Sequence, residues 1–67
     1  MSPKRMSRVV KDLRQKRGLT QVALVKKARV TQGYVTMIER GERTNPSLAI
    51  LKRLARALGV PVGELLG

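Results

Sequence analysis

Apolar residues along the chain gather into five groups, each bounded by glycine, threonine, asparagine or proline. Met6, Val9, Val10 and Leu13 recur at helical spacing and predict a first helix from about Met6, with Ser2 or Ser7 available as its cap. Gly18 stops it directly after Lys16 and Arg17, where cations suit a helix C-terminus. Thr20 is a good N-cap for a second helix carrying Val22, Leu24, Val25 and Ala28, and Leu19 and Leu24 occupy the positions of a hydrophobic staple. The pattern resets at Arg29-Val30-Thr31. Thr31 is a second cap, Val30 and Val35 a second staple, and a third helix over about residues 31–40 turns Val35 and Ile38 inward before Gly41.

Glu42 to Asn45 read as a polar loop, and Asn45-Pro46-Ser47 as a helix start, since proline is tolerated in a first turn. Leu48, Leu51, Leu54, Ala55 and Leu58 then form one continuous inner stripe up to Gly59. Val60 to Leu66 offer one more short helix, which Gly63 weakens by about 1 kcal/mol relative to alanine. The expected fold is therefore all-α, a compact bundle of four to five short helices. Residues 6–67 would make its single domain and residues 1–5 a mobile basic arm.

With 67 residues, no Cys and no His, the chain has neither disulfides nor thiolate or imidazole ligands to staple it, so its core must be aliphatic. No metal and no other cofactor is expected. Lysine and arginine number 15 against 4 acids, a formal net charge of +11. Such an imbalance repels itself and calls for a polyanionic partner: nucleic acid, an anionic membrane surface or an acidic protein. No apolar run reaches the length of a membrane span, and Met1 to Arg8 lack the apolar centre of a signal peptide. Basic and apolar residues are spread over several capped helices, which argues against a membrane-surface peptide. An enzyme is not expected: there is no His or Cys, no cluster of acids, and no base beside Ser2, Ser7 or Ser47.

Two short capped helices joined by a tight turn, from Gln21 to Arg40, are in the order of a helix-turn-helix. Leu19-Thr20-Gln21, Leu24, Val30-Thr31-Gln32-Gly33-Tyr34-Val35, Ile38-Glu39-Arg40-Gly41, Asn45-Pro46-Ser47-Leu48 and Leu54-Ala55-Arg56-Ala57-Leu58-Gly59-Val60 follow in turn. This ordered set resembles the Cro/CI-type (XRE-like) helix-turn-helix family from about Val9 onward. The resemblance implies a lambda-repressor-like five-helix bundle that binds operator DNA, usually as a dimer on a two-fold site. It implies that Gln21 touches phosphate at a helix N-terminus and that Gln32 meets a base. Both roles agree with physical expectation, since helix N-termini attract phosphate and glutamine pairs bidentately with adenine. It also implies a buried salt bridge between Arg14 and Glu39; from the residues alone, a surface pair worth under about 1 kcal/mol remains open.

On the third helix the outward residues are Gln32, Gly33, Thr36, Met37 and Arg40. Gln32, Gly33, Thr36 and Met37 are the expected base contacts, Thr36 and Met37 through a thymine methyl. Gln21, Thr31, Tyr34, Arg40, Arg43, Thr44 and Asn45 are the expected phosphate contacts. Val62, Leu65 and Leu66 are the expected dimer surface, although Leu65 and Leu66 serve equally well to close the monomer core. Against the family pattern, Val25 stands where alanine is frequent and Arg29 where a turn glycine is frequent, so Arg29 is expected at positive φ. Pro61 and Gly63 put the fifth helix in question.

Double-stranded DNA in the cytoplasm is thus the expected partner, bound by a homodimer without a small-molecule effector. Two other readings fit the same fold. One is an antitoxin-type interaction module that also binds its operator, and the other is a basic DNA-binding protein indifferent to sequence.

Overall fold

Five α-helices follow the apolar groups in order: α1 (Pro3–Lys16), α2 (Gln21–Ala28), α3 (Gln32–Glu39), α4 (Leu48–Leu58) and α5 (Gly63–Leu66). They are seen in a computed structural model that describes residues 3–42 and 46–66. α1 begins at Pro3, earlier than the apolar spacing indicates, so Lys4 and Arg5 belong to a helix and not to an arm. Proline suits that position, because its missing N–H is one a helix start leaves unbonded. Ser7 therefore lies inside α1 and does not cap it; its hydroxyl donates to the carbonyl oxygen of Glu39 on α3.

The two threonine caps form as their spacing predicts, while α4 is capped by Ser47, so Pro46 precedes that helix and does not stand in its first turn. Thr20 Oγ1 accepts from the Ala23 N–H at 3.0 Å, Thr31 Oγ1 from Tyr34 at 3.3 Å and Ser47 Oγ from Ile50 at 3.2 Å. Each is worth about 1 kcal/mol against alanine. Short helices of this kind are marginal alone and persist because each buries an apolar face. Met6 and Val10 from α1, Leu24 and Ala28 from α2, and Val35 and Ile38 from α3 enter one core. Leu51, Leu54, Ala55, Ala57 and Leu58 from α4 and Leu65 from α5 complete it. The partly buried staple residues Leu19 and Val30 pack against its edge. Val25 does the same, so the branched side chain is accommodated by staying partly exposed where α2 meets α3.

Despite Gly63, α5 forms, and it packs on α1 and α4. Leu65 explains why: it is 1 % exposed and closes the end of the core. That corrects its assignment to a dimer surface, since a side chain enclosed in the monomer has no area left to offer a partner. Val62 stays partly exposed and Leu66 is 40 % exposed.

α2 ends at Arg29, with φ 59° and ψ 48°, in the left-handed region. Its N–H bonds the Val25 carbonyl, the terminating geometry usually supplied by glycine. A side chain there costs about 1 kcal/mol. Arg29→Gly is expected to stabilise the domain by about 0.5–1 kcal/mol and to raise its melting midpoint by several degrees. A thermal melt with an unchanged or lower midpoint would rule out strain at this cap. Arg53 donates to the Arg29 carbonyl at 3.5 Å, a contact the substitution keeps.

Candidate nucleic-acid interface

Burying Val35 and Ile38 fixes the rotation of α3 about its own axis. Gln32, Gly33 and Met37 are left exposed on one side, with the N-cap Thr31 beside them. Met37 is 44 % exposed, a large apolar side chain with no place in the core. At Gly33 an added Cβ would meet no heavy atom within 4 Å, so nothing inside the protein demands glycine there. Gly33→Ala is expected to fold normally and to gain about 0.5 kcal/mol in stability from helix propensity. Chemical denaturation checks this; a loss of stability would show that the position is constrained from within.

Thr36 is less exposed than Gln32, Gly33 and Met37 and is bonded to α2. Its hydroxyl donates to Gln21 Oε1 at 3.1 Å, and Gln21 Nε2 donates to Glu39 Oε1 at 3.1 Å. Glu39 in turn takes two bonds from Arg14 of α1, Nε to Oε2 at 2.7 Å and Nη2 to Oε1 at 3.0 Å. A fork-to-fork arrangement of this kind is among the stronger charged contacts. The two side chains are only 12 % and 5 % exposed, so the pair is enclosed and not a solvated surface bridge. Arg14 Nη1 also donates to the Leu19 carbonyl at 2.8 Å, tying the turn before α2 to the same cluster.

The hydrogen bond to Glu39 raises the Arg14 pKa above its ordinary value, with the carboxylate charge adding to it and burial opposing it. A raised value in a base means that its contribution holds as pH rises up to the arginine range and fades only above it. Arg14 is therefore charged throughout the neutral range.

Sequence reasoning anticipated the Arg14–Glu39 pair and missed what is attached to it. Gln21, expected at phosphate, is held by its side-chain amide between Glu39 and Thr36. No spacing rule connects residues 15 and 18 positions apart, so nothing in the sequence flagged it. Tyr34, also expected at phosphate, is partly buried, and its hydroxyl oxygen accepts from the Ser47 N–H at 3.2 Å, bracing the start of α4 against α3. Arg40 is exposed and 3.6 Å from Glu42, an open pair that leaves it accessible. Arg43, Thr44 and Asn45 lie outside the described residues.

α2, α3 and α4 carry no acid in their first turns, so the positive ends of their backbone dipoles are uncompensated. The chain's four acids are placed elsewhere: Glu39 and Glu42 face arginines, Asp12 is on α1 and Glu64 is in α5. Most of the described cations are exposed, and no helix of the described residues is long and apolar enough to cross a membrane.

Comparison with known proteins gives a consistent result. The HTH_3 helix-turn-helix family model matches residues 10–65. The chain is 45 % identical over 58 residues to the immunity repressor protein of Bacillus phage phi105, covering 87 % of this chain and 40 % of the repressor. To the HTH-type transcriptional regulator SinR of Bacillus subtilis it is 37 % identical over 57 residues, 85 % of this chain and 51 % of SinR. The chain thus spans about half or less of the length of these curated relatives, which are regulators and repressors rather than enzymes.

Among solved structures, the restriction-modification controller protein C.AhdI from Aeromonas hydrophila superposes with a TM-score of 0.88. It is 33 % identical, and the match covers 94 % of both chains. SinR, solved in complex with DNA, superposes with a TM-score of 0.89 at 34 % identity, covering 92 % of this chain and 98 % of that one.

Proposed function

Because the chain belongs to the HTH_3 helix-turn-helix family over residues 10–65, we propose that it binds double-stranded DNA as a sequence-specific transcription regulator, with α3 in the major groove. The observation that carries this reading is the exposed face of α3. Gln32, Gly33 and Met37 point away from the core on a helix whose other side is anchored by Val35, Ile38 and the Arg14–Glu39 pair. That combination suits a rigid element meeting a partner at fixed angle. A net charge of +11 and three acid-free helix starts suit a phosphate backbone.

Roles follow from position. Gln32 lies in the first turn of α3 and reads a base by paired hydrogen bonds, while Gly33 admits the DNA close to the backbone. Met37 and the methyl of Thr36 offer apolar contact to thymine. Thr31, Gln21 through the amide hydrogen not given to Glu39, and Arg40 hold phosphates, and Arg43, Thr44 and Asn45 are kept as further phosphate contacts from the sequence. Tyr34 acts chiefly by holding α4 in place. The regulator works in the cytoplasm, where the DNA is.

Gln32→Ala is expected to weaken binding to the preferred site by about 1–3 kcal/mol and binding to random duplex hardly at all. Equal losses on both duplexes would remove Gln32 from the readout. Selection of sites from a random duplex library tests the whole reading. A defined consensus is the expected result, and recovery of unselected sequence would favour an indifferent basic protein instead.

Pairing of two copies on a two-fold site is part of the proposal. Val62 and Leu66 are two apolar positions in this last stretch that the core leaves at least partly exposed. Sedimentation that finds single chains both free and on DNA would reject the dimer.

A further inference from the structure

We infer that the partly buried Arg14–Glu39 pair fixes, through Gln21, what Thr36 can recognise: its hydroxyl cannot donate to a base, and the side chain reads only groups that suit a methyl or an acceptor. This rests on the proposal that α3 reads bases in the major groove. Its starting point is the unbroken chain of side chains from Arg14 to Glu39, Gln21 and Thr36, with contacts of 2.7, 3.1 and 3.1 Å.

The direction of every bond in that chain is dictated by its first member. The guanidinium only donates, and the carboxylate of Glu39 only accepts. Gln21 must therefore turn its NH2 toward Glu39, which leaves its carbonyl oxygen facing Thr36. A carbonyl oxygen accepts and cannot give, so the one proton of the Thr36 hydroxyl is spent on Gln21. What Thr36 has left for the groove is a methyl group and the lone pairs of its oxygen.

A free threonine reads either kind of partner, and this one is restricted. Guanine presents N7 and O6 in the major groove, adenine N7 and thymine O4, all of them acceptors that need a donor. Thr36 has none for them. The thymine methyl and the amino groups of adenine and cytosine remain readable. Glu39 and Gln21 are thus positioning residues, acting on specificity without touching DNA at that point.

The test begins with the selected consensus site. The base pair facing Thr36 is the one whose substitution penalties disappear in Thr36→Ala. At that pair, wild-type affinity should change less than about twofold when purine N7 is removed as the 7-deaza base. It should fall about fourfold, the worth of one buried methyl, when thymine is replaced by uracil, or similarly when an adenine amino group is removed.

Glu39→Gln places an amide where only an acceptor stood. Gln21 can then reverse, offer its NH2 to Thr36 and release the hydroxyl proton. Gln21→Leu releases that proton directly while keeping the ion pair, and so guards against a folding failure of the first variant. Both variants, checked for helicity by circular dichroism at low temperature, should acquire an affinity loss of about fourfold or more on 7-deaza substitution.

A wild-type loss on 7-deaza substitution at this pair would overturn the inference. So would a wild-type profile in either folded variant, or the absence of any pair that responds to Thr36→Ala. A library selection that returns no consensus would overturn the DNA-reading proposal itself, and the inference with it.

Discussion

Glu39→Ala is expected to lower the stability of the domain by about 3–5 kcal/mol, the cost of leaving an enclosed cation without its partner. Arg14 would keep its charge, because its side chain is only 12 % exposed and its other bond goes to a neutral carbonyl at Leu19. Gln21 would lose its acceptor at the same time, and with it the reason for its orientation. Folded domains are stable by about 5–15 kcal/mol, and one this small sits low in that range, so much of the population should unfold at ordinary temperature. Urea denaturation followed by circular dichroism should show the midpoint collapse with little change in slope. Replacing both Arg14 and Glu39 by leucine should cost much less than the sum of the single changes, since the main penalty is the unpaired charge. A loss under about 1 kcal/mol for Glu39→Ala would place the pair among solvated surface bridges and withdraw its anchoring role.

Affinity for DNA is expected to fall about 10⁵-fold between 50 and 200 mM salt. With about five phosphates neutralised by each copy, a dimer releases enough counterions for a log–log slope near −9. The charge distribution is the basis for the estimate. A net +11 on 67 residues leaves nearly every cation exposed, with Glu39 and Glu42 the only acids paired to arginines among the described residues. Fluorescence anisotropy titrations at a series of salt concentrations measure the slope. A value near −4.5 would mean one copy per site, and a value near zero would contradict binding along a phosphate backbone.

Much of the helix pattern is written in short stretches of sequence. Thr20, Thr31 and Ser47 cap the helices they precede, and each cap needs only a neighbour three residues on. Arg29 took the left-handed conformation expected where a turn glycine is usual, because α2 must stop between Ala28 and Val30 whatever residue stands there. Apolar spacing placed Val35 and Ile38 inside and so left Gln32, Gly33 and Met37 outside. Two elements were not legible in this way. The first turn of α1 has no apolar stripe, so Pro3 to Arg5 read as an arm. For α5, local propensity argued against a helix at Gly63, and burial of Leu65 against α1 and α4 decided otherwise.

The sequence by itself determined the first four helices and the face that each turns inward, with the threonine caps of α2 and α3, because those signals act within one or two helical turns. Only the tertiary structure decided what Gln21, Thr36 and Tyr34 do. Their partners lie 13 to 18 residues away, and the ends of α1, α2 and α3 come together only when the shared core sets how the helices cross. A hydrogen bond is settled by tenths of an ångström and by which group can give a proton, and neither is encoded in the spacing of residues along the chain.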